Sequence, residues 1–300
     1  MDYAKFKLPH DALMRALIHA KSYYSLTKPG IVMGNMITMV GGFALASTKY
    51  FNLYLFLATL IGLSLIIASA CIFNNFIDRI ADRKMERTKC RPLAQGVISN
   101  QSALLFASFL GLSGSFSLAL FSNLLAMAVA LFGFFIYVIL YSFLKYRSVH
   151  GTVIGSIAGA IPPVVGYCAA SHTLDLAAAL LFTTVALWQM PHFFAIAIYR
   201  LEDYAAASIP VMPLKQGLHK TKVQMLFYVI AFTAVCCMLP LFGYVNYGYL
   251  FISLFFGTVW IALSVAGFKA ENDRLWARKM FFLSLMVIMG VCVAIPLMVY

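Results

Sequence analysis

The chain of 300 residues is 63% hydrophobic, is only 11% charged and carries a formal net charge of +12. These proportions lie outside the range of soluble globular proteins. The basic residues do not gather into a compact basic domain, which argues against a nucleic acid partner. The composition therefore predicts an integral membrane protein whose positive charge lies in segments at the membrane surface.

Apolar stretches of about 18 to 22 residues recur along the sequence, and each is long enough to cross a membrane as a helix. They lack the alternation of a membrane β-barrel, so helices are needed to satisfy the backbone. Nine stretches are predicted to span the membrane, and they are called the first to the ninth span in chain order. Their predicted bounds are Pro29–Ser47, Leu53–Phe73, Ser102–Leu120, Leu124–Phe143, Val153–Ala170, Leu176–Ile198, Val223–Phe242, Tyr249–Phe268 and Met280–Val299.

The basic residues indicate an orientation. If the N-terminus is cytoplasmic, all of the 22 lysines and arginines except Lys49 fall in cytoplasmic segments. This bias follows the positive-inside rule. We therefore predict a cytoplasmic amphipathic segment over residues 1–28, followed by a single nine-helix domain over residues 29–300.

The first charged cluster follows the second span, in the sequence NNFIDRIADRKMERTKCRPLAQG. If the helix continues beyond the membrane, Asn74, Asp78 and Asp82 lie on one face at i, i+4 and i+8, and Glu86 extends that face. A second stripe beside it consists of Arg79, Arg83, Arg87 and Arg91. One interpretation is a solvated helix end held by Arg79–Asp82 and Arg83–Glu86 pairs.

A second interpretation of this cluster is a binding site. Mg²⁺ takes one or two carboxylates together with water and substrate phosphates. The guanidinium group of an arginine can donate two parallel hydrogen bonds to the oxygens of one phosphate group. At a membrane interface, the combination favours a substrate with a diphosphate head and a long apolar tail that lies among the helices.

The second cluster ends the sixth span, in the sequences WQMPHF and YRLEDYAAASIPVMP. On a continuous helix, His192, Tyr199 and Asp203 lie within about 40° of one another, close to Trp188. An ionisable side chain deep in a span is a functional candidate. The alternative for His192 is a neutral ring that is hydrogen-bonded to a neighbouring helix.

Two smaller features lie near the same end of the bundle. Tyr141 and Lys145, at i and i+4, can present a hydroxyl and an ammonium to an anion, unless Lys145 only extends to the membrane surface. The stretch GTVIGSIAGAIPPVVGY that follows offers small residues for close helix packing.

The ordered set of motifs resembles the UbiA superfamily of intramembrane prenyltransferases. Its fold has nine transmembrane helices around a lipid-accessible cavity, with two aspartate-rich motifs at the cytoplasmic side. The sequences DRKMERTKCRPL, YSFLKYRSVHGTVIGSIAGAIPPVVGY, WQMPHF and YRLEDYAAASIPVMP are similar to the branch that farnesylates protohaem IX. The resemblance extends from TKPGIVMGN to DRLWARKMF, which is nearly the whole chain.

The resemblance implies roles for the residues of both clusters. The ligands of Mg²⁺ and of the diphosphate head would be Asn74, Asp78 and Asp82, with further diphosphate contacts from Arg87, Arg91, Tyr141 and Lys145. The second motif of the superfamily has two aspartates four residues apart, where this chain has Tyr199 and Asp203 with Glu202 beside them. The implied catalytic residues are Asp78, Asp82, Tyr199 and Asp203.

The same branch implies a reaction in which a farnesyl group passes from farnesyl diphosphate to a vinyl group of protohaem IX, or haem B. Water adds as well, and the products are haem O and diphosphate. Haem B is then a substrate and not a cofactor. The implied haem-binding candidates are His192, Trp188 and Glu202, and the bases that could pair with the propionates are Arg200, Arg274 and Lys279.

The resemblance further implies a bacterial inner membrane, an active site that faces the cytoplasm, and haem A synthase or a terminal oxidase as partners. Two alternative functions stay open at this point. One is prenyl transfer to an aromatic acid in quinone synthesis. The other is haem binding or transport without catalysis, which is disfavoured because the charges cluster at one surface and not at the midplane of several spans.

Overall fold

The computed structural model describes residues 9–48 and 50–299, and only the backbone of residues 9–16 and 18. Predictions that concern residues 1–8 and Lys49 therefore lie outside the described residues. Within these described ranges, nine helices are long and apolar enough to cross a membrane, which confirms the predicted number. They run over Pro29–Ala46, Leu53–Asp82, Asn100–Phe121, Leu124–Leu144, Gly151–Ser171, Leu176–Tyr199, Leu218–Leu241, Tyr247–Lys269 and Asp273–Met298.

Within the described ranges, the regular structure is helical apart from an isolated bridge between Val245 and Val299. Shorter helices outside the spans cover Pro9–Leu26, Leu201–Ala206 and Met212–Gln216. The protein is therefore an all-α membrane protein, as the hydropathy pattern predicts.

Polar N-cap side chains begin the even-numbered spans at one end of the bundle. Asn52 accepts a hydrogen bond from the backbone N–H of Leu55, and Asn123 and Asp175 cap the fourth and sixth spans in the same way. These caps satisfy backbone donors that the first helical turn leaves without partners. The opposite end, called the charged end below, carries Lys28 and Lys145.

The first and fifth spans touch backbone to backbone in the half of the bundle away from the charged end. A Cβ atom on Gly42 would lie 1.9 Å from the carbonyl oxygen of Pro163, and one on Gly166 would lie 2.2 Å from that of Met39. Only glycine permits such an approach. This close crossing leaves space between the same two helices at the charged end.

The spans fall into a lining group and an outer group. The first span packs against the fifth and the ninth, and the sixth packs against the fifth, the seventh and the ninth. The second span packs mainly against the third. The third, seventh and eighth spans lie outside the helices that enclose a central cavity.

Candidate active site

A cavity of about 680 Å³ extends from the charged end into the bundle and is lined by the first, second, fourth, fifth, sixth and ninth spans. Its polar residues gather near the charged end, where Asp78, Asp82 and Arg91 lie. Deeper in the bundle the wall is apolar, with Ile66 and Phe134 among the lining residues. The cavity therefore has a charged head region and an apolar tail region.

The second span continues to Asp82, as predicted, and it places Asn74, Asp78 and Asp82 on the cavity wall. Asp82 accepts two hydrogen bonds from Nη1 of Arg91, at 3.0 and 2.8 Å. Asp78 accepts one from Nζ of Lys145 at 2.6 Å and one from the hydroxyl of Tyr146 at 2.7 Å. Each carboxylate is thus paired with a cation that also faces the cavity.

Lys28 is a further cation on this part of the cavity wall. It was not among the site residues predicted from the sequence. Its Nζ donates a hydrogen bond to Oδ1 of Asn74 at 2.7 Å. The lysine reaches the site because it adopts a left-handed conformation (φ 50°) directly before Pro29. Burial lowers the pKa of Lys28 to about 8.

The fourth span contains a π-helical turn over Ile136–Tyr141. Within this turn, the rings of Tyr137 and Tyr141 stack at a centroid distance of 5.3 Å, and both tyrosines line the cavity. Such turns are rare and frequently occur at functional sites. The turn is followed by Lys145, whose pKa is lowered by burial against the opposing influence of Asp78.

Glycines of the fifth span hold the fourth span close. A Cβ atom on Gly155 would lie 3.0 Å from the ring of Tyr141, and one on Gly151 would lie 2.7 Å from Cα of Lys145. The glycine-rich stretch therefore supports two cavity residues directly, in agreement with its predicted role in close packing.

The loop after the second span differs from the predicted second stripe. The helix ends at Asp82, so Glu86 does not extend the carboxylate face; it is exposed and pairs with Lys89. Arg79 donates to the carbonyl of Phe76, and Arg83 donates to that of Ala94. The arginines that line the cavity are Arg87 and Arg91.

The second cluster is arranged differently from the prediction of one continuous helix. The sixth span ends at Tyr199 and a short helix begins at Leu201, because Arg200 adopts a non-helical conformation (φ −113°, ψ 31°). The break rotates Asp203 away from the stripe that carries His192. Glu202 and Asp203, which follow the break, are not among the cavity-lining residues, and neither is Tyr199, which precedes it, whereas Tyr204 lines the cavity.

Asp203 contacts the first cluster instead. It is 8% exposed, and its Oδ1 accepts a hydrogen bond from the backbone N–H of Glu86 at 3.0 Å. Glu202 is exposed, and the guanidinium carbons of Arg200 and Arg274 lie 4.5 and 5.9 Å from the ring centroid of Tyr199. Asp203 is therefore bonded to the backbone of the loop and does not line the cavity.

Trp188 and His192 line the cavity from the C-terminal half of the sixth span, the half nearer the charged end. Their rings stack at a centroid distance of 4.8 Å. Nδ1 of His192 lies 2.7 Å from Oγ of Ser284 in the ninth span. The hydrogen bond to a neighbouring helix that was one interpretation of His192 is thus present, and the ring also faces the cavity.

The oxygen atoms on the wall suit a hard cation. Within the described ranges, no group of three or more His, Cys, Asp and Glu side chains is arranged to enclose a metal ion. Asn74, Asp78 and Asp82 supply amide and carboxylate oxygens on one face, which leaves other coordination positions to water and to a substrate. This donor set fits Mg²⁺, which keeps several waters and binds substrate phosphates.

Residues 35–286 match the UbiA prenyltransferase family. A protein from Protochlamydia amoebophila named "Protoheme IX farnesyltransferase" is 48% identical over 274 residues, which are 91% of this chain and 97% of that protein. A protein of the same name from Sodalis glossinidius is 49% identical over 89% of this chain and 91% of its own length.

Solved structures share the fold at low sequence identity. The structure of a digeranylgeranylglyceryl phosphate synthase has a TM-score of 0.77 at 18% identity and covers 93% of this chain and 97% of its own. A UbiA homologue from Archaeoglobus fulgidus bound to GPP and Mg²⁺ has a TM-score of 0.64 at 15% identity, over 92% of this chain and 99% of its own. The chain belongs to the UbiA prenyltransferase family and, within it, to the group of the protohaem IX farnesyltransferases.

Proposed function

We propose that the protein transfers a farnesyl group from farnesyl diphosphate to a vinyl group of protohaem IX, with addition of water, and releases haem O and diphosphate. The name shared by relatives at 48% and 49% identity supports this reaction. The observation that carries it is the cavity, whose charged head and apolar tail regions match a prenyl diphosphate.

The diphosphate head occupies the charged region in this proposal. Lys28, Arg87 and Arg91 face the cavity and offer donors to phosphate oxygens, and Tyr141 and Lys145 line the same charged region. Arg91 and Lys145 are already held by carboxylates, so they are pre-positioned and lose little conformational freedom when they bind. The UbiA homologue from Archaeoglobus fulgidus, which shares the fold, was solved bound to GPP and Mg²⁺, and this supports a prenyl diphosphate and Mg²⁺ as ligands.

A magnesium ion would be held by Asn74, Asp78 and Asp82. When it is bound, Mg²⁺ supplies positive charge that stabilises the diphosphate as a leaving group. The cations of the chain act on the same charge, since the negative charge on the diphosphate grows as the allylic C–O bond breaks. Asp203 is a positioning residue in this scheme because it fixes the loop that carries Arg87 and Arg91.

The apolar region receives the farnesyl chain and protects the allylic cation. The stacked rings of Tyr137 and Tyr141 lie on the cavity wall near the carboxylates, where their electron-rich faces favour a cation. The apolar wall excludes water until the acceptor attacks. The terminal carbon of the haem vinyl group forms the new C–C bond, water captures the cation on the adjacent carbon, and one proton is released.

The haem acceptor lies beside the sixth span in this proposal. Trp188, His192 and Phe193 line the cavity there and present aromatic surface to a porphyrin. Arg200 and Arg274 lie farther towards the charged end, beside the ring of Tyr199, and in this proposal they pair with the propionates at the membrane surface. Glu202 does not line the cavity and its negative charge would repel the propionates, so this proposal gives it no contact with haem.

We also propose a bacterial inner membrane location, with the charged end and residues 1–28 on the cytoplasmic face. The support is the distribution of lysines and arginines, which favours the cytoplasmic side for this end. Residues 29–300 then form one catalytic domain. Haem A synthase or a terminal oxidase is the expected recipient of the product, since haem O is consumed by enzymes that modify or incorporate haem.

Membranes that contain the protein, incubated with haem B, farnesyl diphosphate and Mg²⁺, test the reaction when the pigment is identified by mass. We expect haem O from the wild type and none from Asp78→Asn. The matched control is Asp175→Asn, because Asp175 caps the sixth span at the opposite end and asparagine preserves an N-cap. A parallel incubation replaces haem B with an aromatic acid. Prenylation of that acid together with unchanged haem B would show that the alternative function is correct, and haem binding with neither product would indicate a non-catalytic haem-binding or transport protein.

A further inference from the structure

The imidazole of His192 is held on three sides. The rings of Trp188 and Phe281 lie at centroid distances of 4.8 and 5.0 Å from it, and Nδ1 lies 2.7 Å from Oγ of Ser284. The indole N–H of Trp188 donates in turn to the backbone carbonyl of Ser284 at 2.7 Å. The sixth and ninth spans therefore fix both the position and the plane of this ring.

The single proton of the Ser284 hydroxyl decides the direction of the hydrogen bond to His192. Oγ of Ser284 lies 2.6 Å from the backbone carbonyl oxygen of Phe281, and a carbonyl can only accept. The hydroxyl of Ser284 therefore donates its hydrogen bond to the backbone carbonyl oxygen of Phe281. Oγ must accept from His192, so Nδ1 carries the proton.

The ring is neutral in this arrangement. His192 is 9% exposed, and within the described part of the chain no carboxylate forms an ion pair with it. An unpaired charge buried in a membrane span is costly, so the ring holds one proton. With that proton on Nδ1, Nε2 carries a lone pair.

The lone pair has access to the cavity. Among the described residues, the imidazole of His192 is hydrogen-bonded to Ser284 through Nδ1, and its Nε2 has no hydrogen-bond partner. Nε2 is also not among the fully enclosed polar atoms without a partner, so it retains open surface. His192 itself lines the cavity.

We propose that Ser284 is a positioning residue that holds His192 in the Nδ1-protonated tautomer, so that the Nε2 lone pair ligates the iron of the haem substrate. Histidines that bind metals usually donate their other N–H to a fixed acceptor, which orients the ring and raises its basicity. Ser284 and Phe281 form that acceptor here. This inference rests on the proposed function, because it takes haem B as the molecule in the cavity.

Titration of the purified full-length protein with ferric haem B, followed by absorption and electron paramagnetic resonance, tests the inference. We expect a histidine-ligated spectrum in the wild type that is lost in His192→Ala and restored by added imidazole. Ser284→Ala is expected to weaken haem binding about 10- to 100-fold and to change the spin state. Ser284→Thr keeps a hydroxyl that can bond the same carbonyl, and we expect it to retain the wild-type spectrum.

Ser264→Ala is the matched control. Ser264 is a buried serine of the eighth span whose hydroxyl also donates to a backbone carbonyl, that of Trp260, but it does not line the cavity. We expect it to behave as the wild type. An unchanged spectrum in His192→Ala, or unchanged affinity and spin state in Ser284→Ala, would overturn the inference.

Haem O production by the same preparations separates the two hypotheses. If the wild type makes haem O while His192→Ala keeps the wild-type spectrum, iron ligation by His192 is wrong and the farnesyl transfer stands. If the wild type makes no haem O but its spectrum depends on His192 and Ser284, the ligation stands and the reaction is wrong.

Discussion

Asp78 and Lys145 are 67 positions apart in the sequence, yet Nζ of Lys145 donates to Oδ2 of Asp78 at 2.6 Å on the wall of the cavity. The side chains are only 14% and 10% exposed, so each charge depends on the other for compensation. The pair joins the second and fourth spans across the site where a diphosphate is proposed to bind.

Breaking this pair is expected to affect stability and activity differently. Lys145→Met should lower the free energy of unfolding by about 3 kcal/mol, because it leaves Asp78 buried without its cation. The double variant Asp78→Asn/Lys145→Met removes both charges and should recover most of that loss. Neither variant should make haem O, since both lack a diphosphate contact. Thermal unfolding in detergent and the pigment assay measure the two effects, and recovery of activity in the double variant would contradict the assigned roles.

The lowered pKa of Lys28 predicts a pH dependence. Below about pH 8 the ammonium is charged and attracts the diphosphate, and above it the free enzyme loses this charge. We therefore expect kcat/KM for farnesyl diphosphate to fall as the pH rises from about 7 to about 9, because kcat/KM reports ionisation of the free enzyme. Lys28→Arg is the test variant, since arginine stays charged over this range. A decline of equal size and position in Lys28→Arg would assign the pH effect to another group.

The contact between Asp203 and the backbone of Glu86 predicts an effect on the loop and not on the chemical step. Asp203→Ala should increase hydrogen exchange around residues 83–91, since it removes the acceptor for the Glu86 N–H. The KM for farnesyl diphosphate should rise about 10-fold, because Arg87 and Arg91 are less well placed. The control is Glu202→Ala, whose exposed side chain should change neither quantity. A large drop in kcat with unchanged exchange would instead indicate a direct catalytic role for Asp203.

The close approach of Gly155 to Tyr141 predicts a change in product distribution. The methyl group of Gly155→Ala would meet the ring at 3.0 Å and displace it, which disturbs the aromatic wall beside the allylic cation. We expect a higher ratio of farnesol to haem O, because water captures more of the cation. Ser156→Ala, one position along the same helix but away from the cavity, is the control, and chromatography of the lipid products gives the ratio. An unchanged ratio would show that Tyr141 does not protect the cation.

The helices and the carboxylate face could be predicted because both depend on periodicity. Each span falls in the range of lengths that cross a bilayer, and the interval of four residues from Asn74 to Asp82 needs only a helix that continues. The continuation does occur, and the helix ends at Asp82. The same argument failed beyond Asp82, because the sequence there gives no clear signal of where the helix stops.

The second cluster shows the limit of such counting. A break at Arg200 separates His192 from Asp203, although arginine is a good helix former and no glycine or proline marks the position. Directly after the break, Asp203 accepts a hydrogen bond from the backbone N–H of Glu86, a long-range contact that local helix propensity does not encode. Glu86 and Asp203 are 117 positions apart, so periodicity carries no information about them.

Lys28, Tyr146 and Ser284 were missed for related reasons. In the sequence Lys28 resembles the other lysines predicted at the membrane surface. Its place on the cavity wall depends on a left-handed backbone conformation, which the sequence does not reveal. Tyr146 directly follows Lys145, which was the available signal, but adjacent residues on a helix usually face different directions. Ser284 lies 92 positions from His192 and is a small polar residue in an apolar span.

The π-helical turn at Ile136–Tyr141 has a consequence for deletion and insertion variants. A π turn is equivalent to one residue inserted into an α-helix, and each residue accounts for about 100° of rotation. A regular α-helix over the same residues would rotate everything after the turn by that angle, and Lys145 would no longer point towards Asp78. Removal of a single residue such as Ile139 would instead restore a regular helix and keep the direction of Lys145, so the turn absorbs one extra residue without disturbing the active-site wall.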